Sequence, residues 1–143
     1  MIKNQRQYTI TKKKIREFLD ALEKFKAQKN DIHPLLHQAQ EDGLKSQLAD
    51  LEAQVEEYER LKAGHCQFKV GSFQDVSRTL VRARIALGLT QKELAERLGL
   101  KEQQIQRYEE SEYASASFAR IVAVAEALGL EVEEGATVTV IAG

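Results

Sequence analysis

Apolar positions fall into stripes along this chain, sparse in its first half and dense in its second. After a short polar lead, Ile15, Phe18, Leu19, Leu22 and Phe25 recur at steps of one, three and four. That spacing predicts one buried face on an otherwise charged helix, with Thr11 as its N-cap. The pattern stops at Lys29-Asn30-Asp31-Ile32-His33-Pro34, where Asn, Asp and the only Pro give turn and helix-start signals. From there Leu44, Leu48, Leu51, Val55 and Tyr58 step by four and three, a heptad seam that closes near Ala63-Gly64. Gly43 is expected to weaken this second helix near its middle. Two such helices with a tight connection predict an antiparallel, coiled-coil-like hairpin whose paired stripes make only a thin core. A second copy or a partner would thicken it. The seam Leu44, Leu48, Leu51, Val55 and Tyr58 is therefore expected to be a dimer or partner contact.

Gly71 and Ser72 interrupt a mixed stretch and suggest a division into residues 1–66, the hairpin, and residues 74–143. In the second part helical patterns run over 75–87, 90–98, 101–110 and from 115 or 117 to 128, separated by Gly88, Gly99 and the Ser111 region and closed by Gly129. Residues 130–141 alternate and are rich in β-branched side chains around Gly135, which predicts one strand or a small hairpin. Its edge at residues 137–141 is a rival dimer contact. The expected fold class is mainly α: a helical hairpin, a helical bundle and a short C-terminal strand.

Composition adds three exclusions. The 143 residues contain no apolar run near the roughly 20 that a membrane span needs. The lone Cys66 cannot close an internal disulfide, and the opening residues do not look like a signal peptide, so a cytoplasmic setting is expected. Net charge is −1, and splitting the chain gives +1 for residues 1–66 and −2 for the rest. Any affinity for nucleic acid must therefore come from local charge.

Residues 90–108 carry the clearest chemistry. Thr90 with Glu93 three residues on makes a capping box. Two short helices crossing at a wide angle need a small residue at the crossing, which Ala95 supplies. The turn needs a residue tolerant of positive φ, which Gly99 supplies. Leu94, Leu98, Leu100 and Ile105 complete a buried face. Over residues 76–130 the chain resembles the Cro/CI-type, or XRE, family of helix-turn-helix regulators. The stretches Arg84-Ile85-Ala86-Leu87-Gly88-Leu89-Thr90-Gln91-Lys92-Glu93-Leu94-Ala95 and Ile105-Gln106-Arg107-Tyr108-Glu109 carry the likeness. The resemblance implies a bundle of about five helices, sequence-specific binding of double-stranded DNA and a dimer. Two departures stand out: Glu110-Ser111 replace the Asn-Gly that relatives often carry, and the loop Glu112–Ser117 lacks basic residues.

With Ile105 facing inward, 100° per residue places Gln103, Gln106, Arg107 and Glu110 on the outer side of the recognition helix, with Glu102 between the faces. Arg suits the O6/N7 edge of guanine, Gln the N6/N7 edge of adenine, and Glu can accept from cytosine N4. By resemblance Gln91, with Thr90 beside it, would sit against a phosphate. The expected DNA-binding set is Thr90, Gln91, Glu102, Gln103, Gln106 and Arg107. By resemblance as well as geometry, Arg84 and Glu109 are expected to pair, because Glu109 lies near the inward face, where a lone carboxylate is costly.

Other signals carry less. His33 and His37 at i, i+4, with His65 or Cys66, make a weak metal pattern, and the run Lys12-Lys13-Lys14 reads as a solvated face. No nucleophile with its base, no phosphate loop and no cofactor motif is recognisable, so neither an enzyme nor a cofactor is expected. The sequence thus points to a DNA-binding transcriptional regulator, expected to be a repressor that acts as a homodimer on a pseudo-palindromic operator. By analogy it is an autoregulating antitoxin whose hairpin binds a protein toxin. The alternative is an interaction adaptor that uses the hairpin and reads no specific DNA.

Overall fold

The computed structural model describes residues 1–28, 33–64 and 66–131, in six helices: α1 (Gln5–Ala27), α2 (Pro34–Lys62), α3 (Phe73–Ala86), α4 (Gln91–Leu98), α5 (Glu102–Glu110) and α6 (Phe118–Ala127). Among the described residues there is no strand. The strand expected over 130–141 is not borne out: Leu130 and Glu131 form none, and residues 132–143, with the proposed edge at 137–141, lie outside the described residues.

α1 starts well before Thr11, which is buried inside the helix instead of capping it. The cap is Asn4, whose Oδ1 accepts from the Gln7 N–H at 2.9 Å, while Gln7 Oε1 accepts from the Lys3 N–H at 2.8 Å. Reciprocal capping of this kind satisfies first-turn donors that have no helical partner. α2 opens at Pro34, with His33 Nδ1 accepting from the Leu35 N–H at 3.2 Å. It runs unbroken through Gly43, where a side chain would meet nothing within 4 Å.

The two long helices pack as an antiparallel pair. Tyr8, early in α1, stacks on Tyr58, late in α2, at 5.2 Å, while Phe25, late in α1, stacks on His37, early in α2, at 4.4 Å. Ion pairs follow the same order, Lys12 with Glu59 and Lys26 with Glu41. Leu22, Leu48, Val55 and Tyr58 are buried within one copy of the chain, whereas Leu44 and Leu51 are half-buried. Part of the heptad seam is thus buried within one chain.

One core runs through both halves of the sequence. Ile2, Val55, Tyr58 and Leu61 cluster with Leu80, Val81, Ile85, Leu94, Ile105, Val124 and Leu128. α2 packs on α3, and Glu57 binds Arg82 across that contact at 3.0 Å. In the connection over residues 66–72, Cys66 and Phe68 pack against this core. α3 packs on α6, and α4 on both α5 and α6. Between α3 and α6 lies an apolar groove of about 260 Å³ lined by Phe73, Val76, Phe118 and Ile121. No described helix is long and apolar enough to cross a membrane.

Candidate nucleic-acid interface

α4 and α5 are joined by Gly99 in the left-handed region at φ 66°, where a side chain would be strained, and the Leu100 N–H closes the turn onto the Ala95 carbonyl at 2.8 Å. Ala95 is 1% exposed at the crossing. The α4 cap is reciprocal. The Thr90 hydroxyl accepts from the Glu93 N–H at 3.1 Å, and Glu93 Oε2 accepts from the Thr90 N–H at 2.7 Å. That backbone donor, then the Thr90 hydroxyl, holds the Glu93 carboxyl below its ordinary value. The Thr90 hydroxyl is therefore already committed to its own helix.

α5 separates its faces sharply. Ile105 and Glu109 have no exposure, while Glu102, Gln103, Arg107 and Glu110 face solvent and Gln106 is half-exposed. Gln106 Nε2 donates to Glu102 Oε1 at 3.3 Å, so those two side chains brace each other. Arg107 has no ion-pair partner among the described residues. The face therefore offers one unpaired guanidinium and two primary amides against two carboxylates, a surface of low net charge.

Beneath that face lies a buried polar network. Arg84 Nε and Nη2 donate to the two Glu109 oxygens at 2.5 and 2.9 Å. Gln91 Nε2 donates to Glu109 Oε2 at 2.8 Å. A fully buried carboxylate thereby receives three charge-assisted or amide donors, which is what its burial requires. Gln91 is only 6% exposed, and its side-chain amide is turned inward to Glu109. At this position only the backbone N–H groups of the α4 first turn remain for an anion.

Two residues ahead of α1 join the same network. The Lys3 carbonyl accepts from Arg84 Nη2 at 2.6 Å, Lys3 Nζ donates to the Glu109 carbonyl, and Asn4 Nδ2 donates to Gln91 Oε1 at 3.4 Å. Ile2 is 3% exposed in the shared core. Sequence reasoning treated this stretch as a polar lead. The available signal was Asn4 followed three residues later by Gln7.

After α5, Glu112 and Tyr113 both take positive φ, 50° and 63°. For residues with a side chain this costs on the order of 1–2 kcal/mol each. Tyr113 repays it by packing. It is 1% exposed, stacks on Tyr108 at 5.8 Å and donates its N–H to the Tyr108 carbonyl at 2.7 Å. Glu112 is held by Arg78 at 3.3 Å. The Tyr113 hydroxyl has no hydrogen-bond partner among the described residues, and burial, with Glu109 nearby, pushes its pKa well above the usual 10.0. As pH rises past that usual value the unfolded chain loses this proton first, so stability present below it is lost above it. Tyr113→Phe keeps the stack and removes the orphan hydroxyl. It is expected to raise unfolding free energy at neutral pH by about 1 kcal/mol and to blunt the alkaline loss, read from urea melts across the pH range. A destabilised variant would show that the hydroxyl has a partner after all.

Ser117 caps α6, its Oγ accepting from the Arg120 N–H at 3.1 Å. The weak metal pattern is otherwise engaged. His33 caps α2, His37 stacks on Phe25, and His65 lies outside the described residues. No group of three candidate ligands occurs among the described residues.

No curated protein and no solved structure gives a significant match to the chain. Residues 80–134 match the helix-turn-helix family model, which spans α4, α5 and α6 and leaves the hairpin unmatched. This part of the chain is similar to a helix-turn-helix unit, and the match supports the Cro/CI-type, or XRE, likeness and DNA-binding regulation in general.

Proposed function

We propose that the protein is a sequence-specific DNA-binding regulator that reads base edges in the major groove with Gln103, Gln106 and Arg107 of α5, flanked by Glu102. The observation that supports this best is the split of α5 into a buried Ile105/Glu109 side and an open side on which Arg107 is unpaired. A guanidinium left free on a helix held rigidly from beneath suits bidentate contact with guanine. At the α4 N-terminus, which Thr90 caps, the backbone N–H of Gln91 positions the unit on a phosphate. A homodimer would present two such helices about 34 Å apart, matching a pseudo-palindromic site. Repression, and an antitoxin role in which a protein toxin docks on the hairpin, rest on analogy with regulators of this type.

Sequence selection from a random duplex pool tests the reading. Arg107→Ala is expected to cost roughly 1–3 kcal/mol of discrimination at one base position. A preference unchanged at every position would mean that α5 does not read bases. The low net charge of the open face favours a second reading, an adaptor that recruits partners through the hairpin without specific DNA contact. Binding measured over a range of salt separates them, since an adaptor shows no preference for selected over random duplex at any salt.

A further inference from the structure

The segment Ile2–Asn4 touches all three helices that frame the proposed reading surface. Ile2 enters the shared core, the Lys3 carbonyl and ammonium bind Arg84 of α3 and the last turn of α5, and the Asn4 amide binds Gln91 at the start of α4. We propose that Lys3 and Asn4 are positioning residues for base readout, setting how α5 presents Arg107 to the groove. The proposal rests on the DNA-binding reading above.

The chemistry of the contacts supports a positioning role. The Glu109 carbonyl in the last turn of α5 already accepts from the Glu112 N–H at 3.1 Å and carries the partial negative charge of a helix C-terminus, so the Lys3 ammonium adds a charged donor there and suits the helix dipole. α5 lacks the usual glycine terminator, since Ser111 follows with φ −95°. It therefore draws part of its C-terminal restraint from outside. Arg107 lies two residues before Glu109, so the turn that Lys3 holds is the turn that carries the guanidinium. The donors form a closed ring: Asn4 to Gln91, Gln91 to Glu109, Arg84 to Glu109, and Arg84 back to Lys3. Bidentate base contacts tolerate displacements of only about 0.5 Å, so loosening this ring costs selectivity before it costs folding.

Two variants of the full chain break the ring at different points, so a folding defect in one leaves the other to decide. Lys3→Met keeps the aliphatic stem and removes the ammonium. Asn4→Asp keeps the oxygen that caps Gln7 and removes the amide donor. The probes are the duplex most enriched by the unaltered protein from a random pool and the random pool itself. In each variant the affinity ratio of enriched to random duplex is expected to fall about tenfold, with random binding and the urea midpoint nearly unchanged. Lys3→Arg should recover most of the ratio. Ratios retained in both variants would overturn the proposal. So would an equal fall on both duplexes, which would make Lys3 a phosphate contact, or a rise in affinity, which would make the segment an obstruction. If the unaltered protein enriches no sequence, the DNA reading fails and this proposal falls with it.

Discussion

Arg84→Ala is expected to lower the unfolding free energy by about 3–5 kcal/mol. Both members of the pair are buried, Arg84 at 2% and Glu109 at 0% exposure, so the variant strands a carboxylate away from bulk solvent. The variant leaves Glu109 with Gln91 as its one side-chain donor and deprives the Lys3 carbonyl of its own. The penalty comes from the stranded carboxylate more than from the lost attraction. Arg84→Met with Glu109→Met should therefore recover much of the loss, since replacing a whole buried pair by apolar groups is often near neutral. Urea melts of the two variants and the unaltered chain measure both numbers. A cost for Arg84→Ala under about 1 kcal/mol would place the pair among solvated surface bridges and contradict the geometry.

A larger effect is expected from Leu48→Glu with Val55→Glu. The two residues are 8% and 6% exposed on the α2 side facing α1. Each change removes about 1.5–3 kcal/mol of apolar burial and forces a carboxylate either to desolvate or to open the hairpin. Val55 belongs to the same cluster as Leu80 and Ile105, so damage should spread to the helix-turn-helix unit. Loss of at least about 5 kcal/mol is expected, visible as reduced helicity and a collapsed thermal midpoint. Halving of the solution mass with helicity and midpoint intact would instead identify the seam as a contact between copies, and the packing of α1 on it as wrong.

Much of the second half was legible in the sequence because its punctuation is local. Gly88, Gly99 and Gly129 take positive φ at the helix ends they were expected to mark, and the Thr90/Glu93 pair forms the cap its spacing implies. Ile105 faces inward and Arg107 outward because a nine-residue helix offers only one register for its apolar residues. What was not legible depends on contacts distant in sequence. Nothing near Gln91 says that Glu109 needs a third donor. Nothing in Ile2-Lys3-Asn4 says that its apolar residue belongs to a core assembled from residues 55–128. Thr11 looked like a cap only because the apolar stripe starts at Ile15, while Tyr8 is spent on Tyr58 and Glu59. Tyr113 sat unnoticed among polar loop residues because its burial follows from positive φ, which a side chain of that size rarely adopts.

The ring that ties Lys3 to Arg84 and Glu109 spans 81 and 106 residues of chain. A ribosome adding about 5–20 residues per second leaves Ile2 and Lys3 without their partners for on the order of ten seconds. The α1–α2 pair and the α4–α5 pair join neighbours in sequence and can form as soon as each is released. Docking of the leading residues onto α3 and α5 must then be among the last events of folding. The surface presented by α5 is thus completed by residues made well before it, after the body beneath it has already closed.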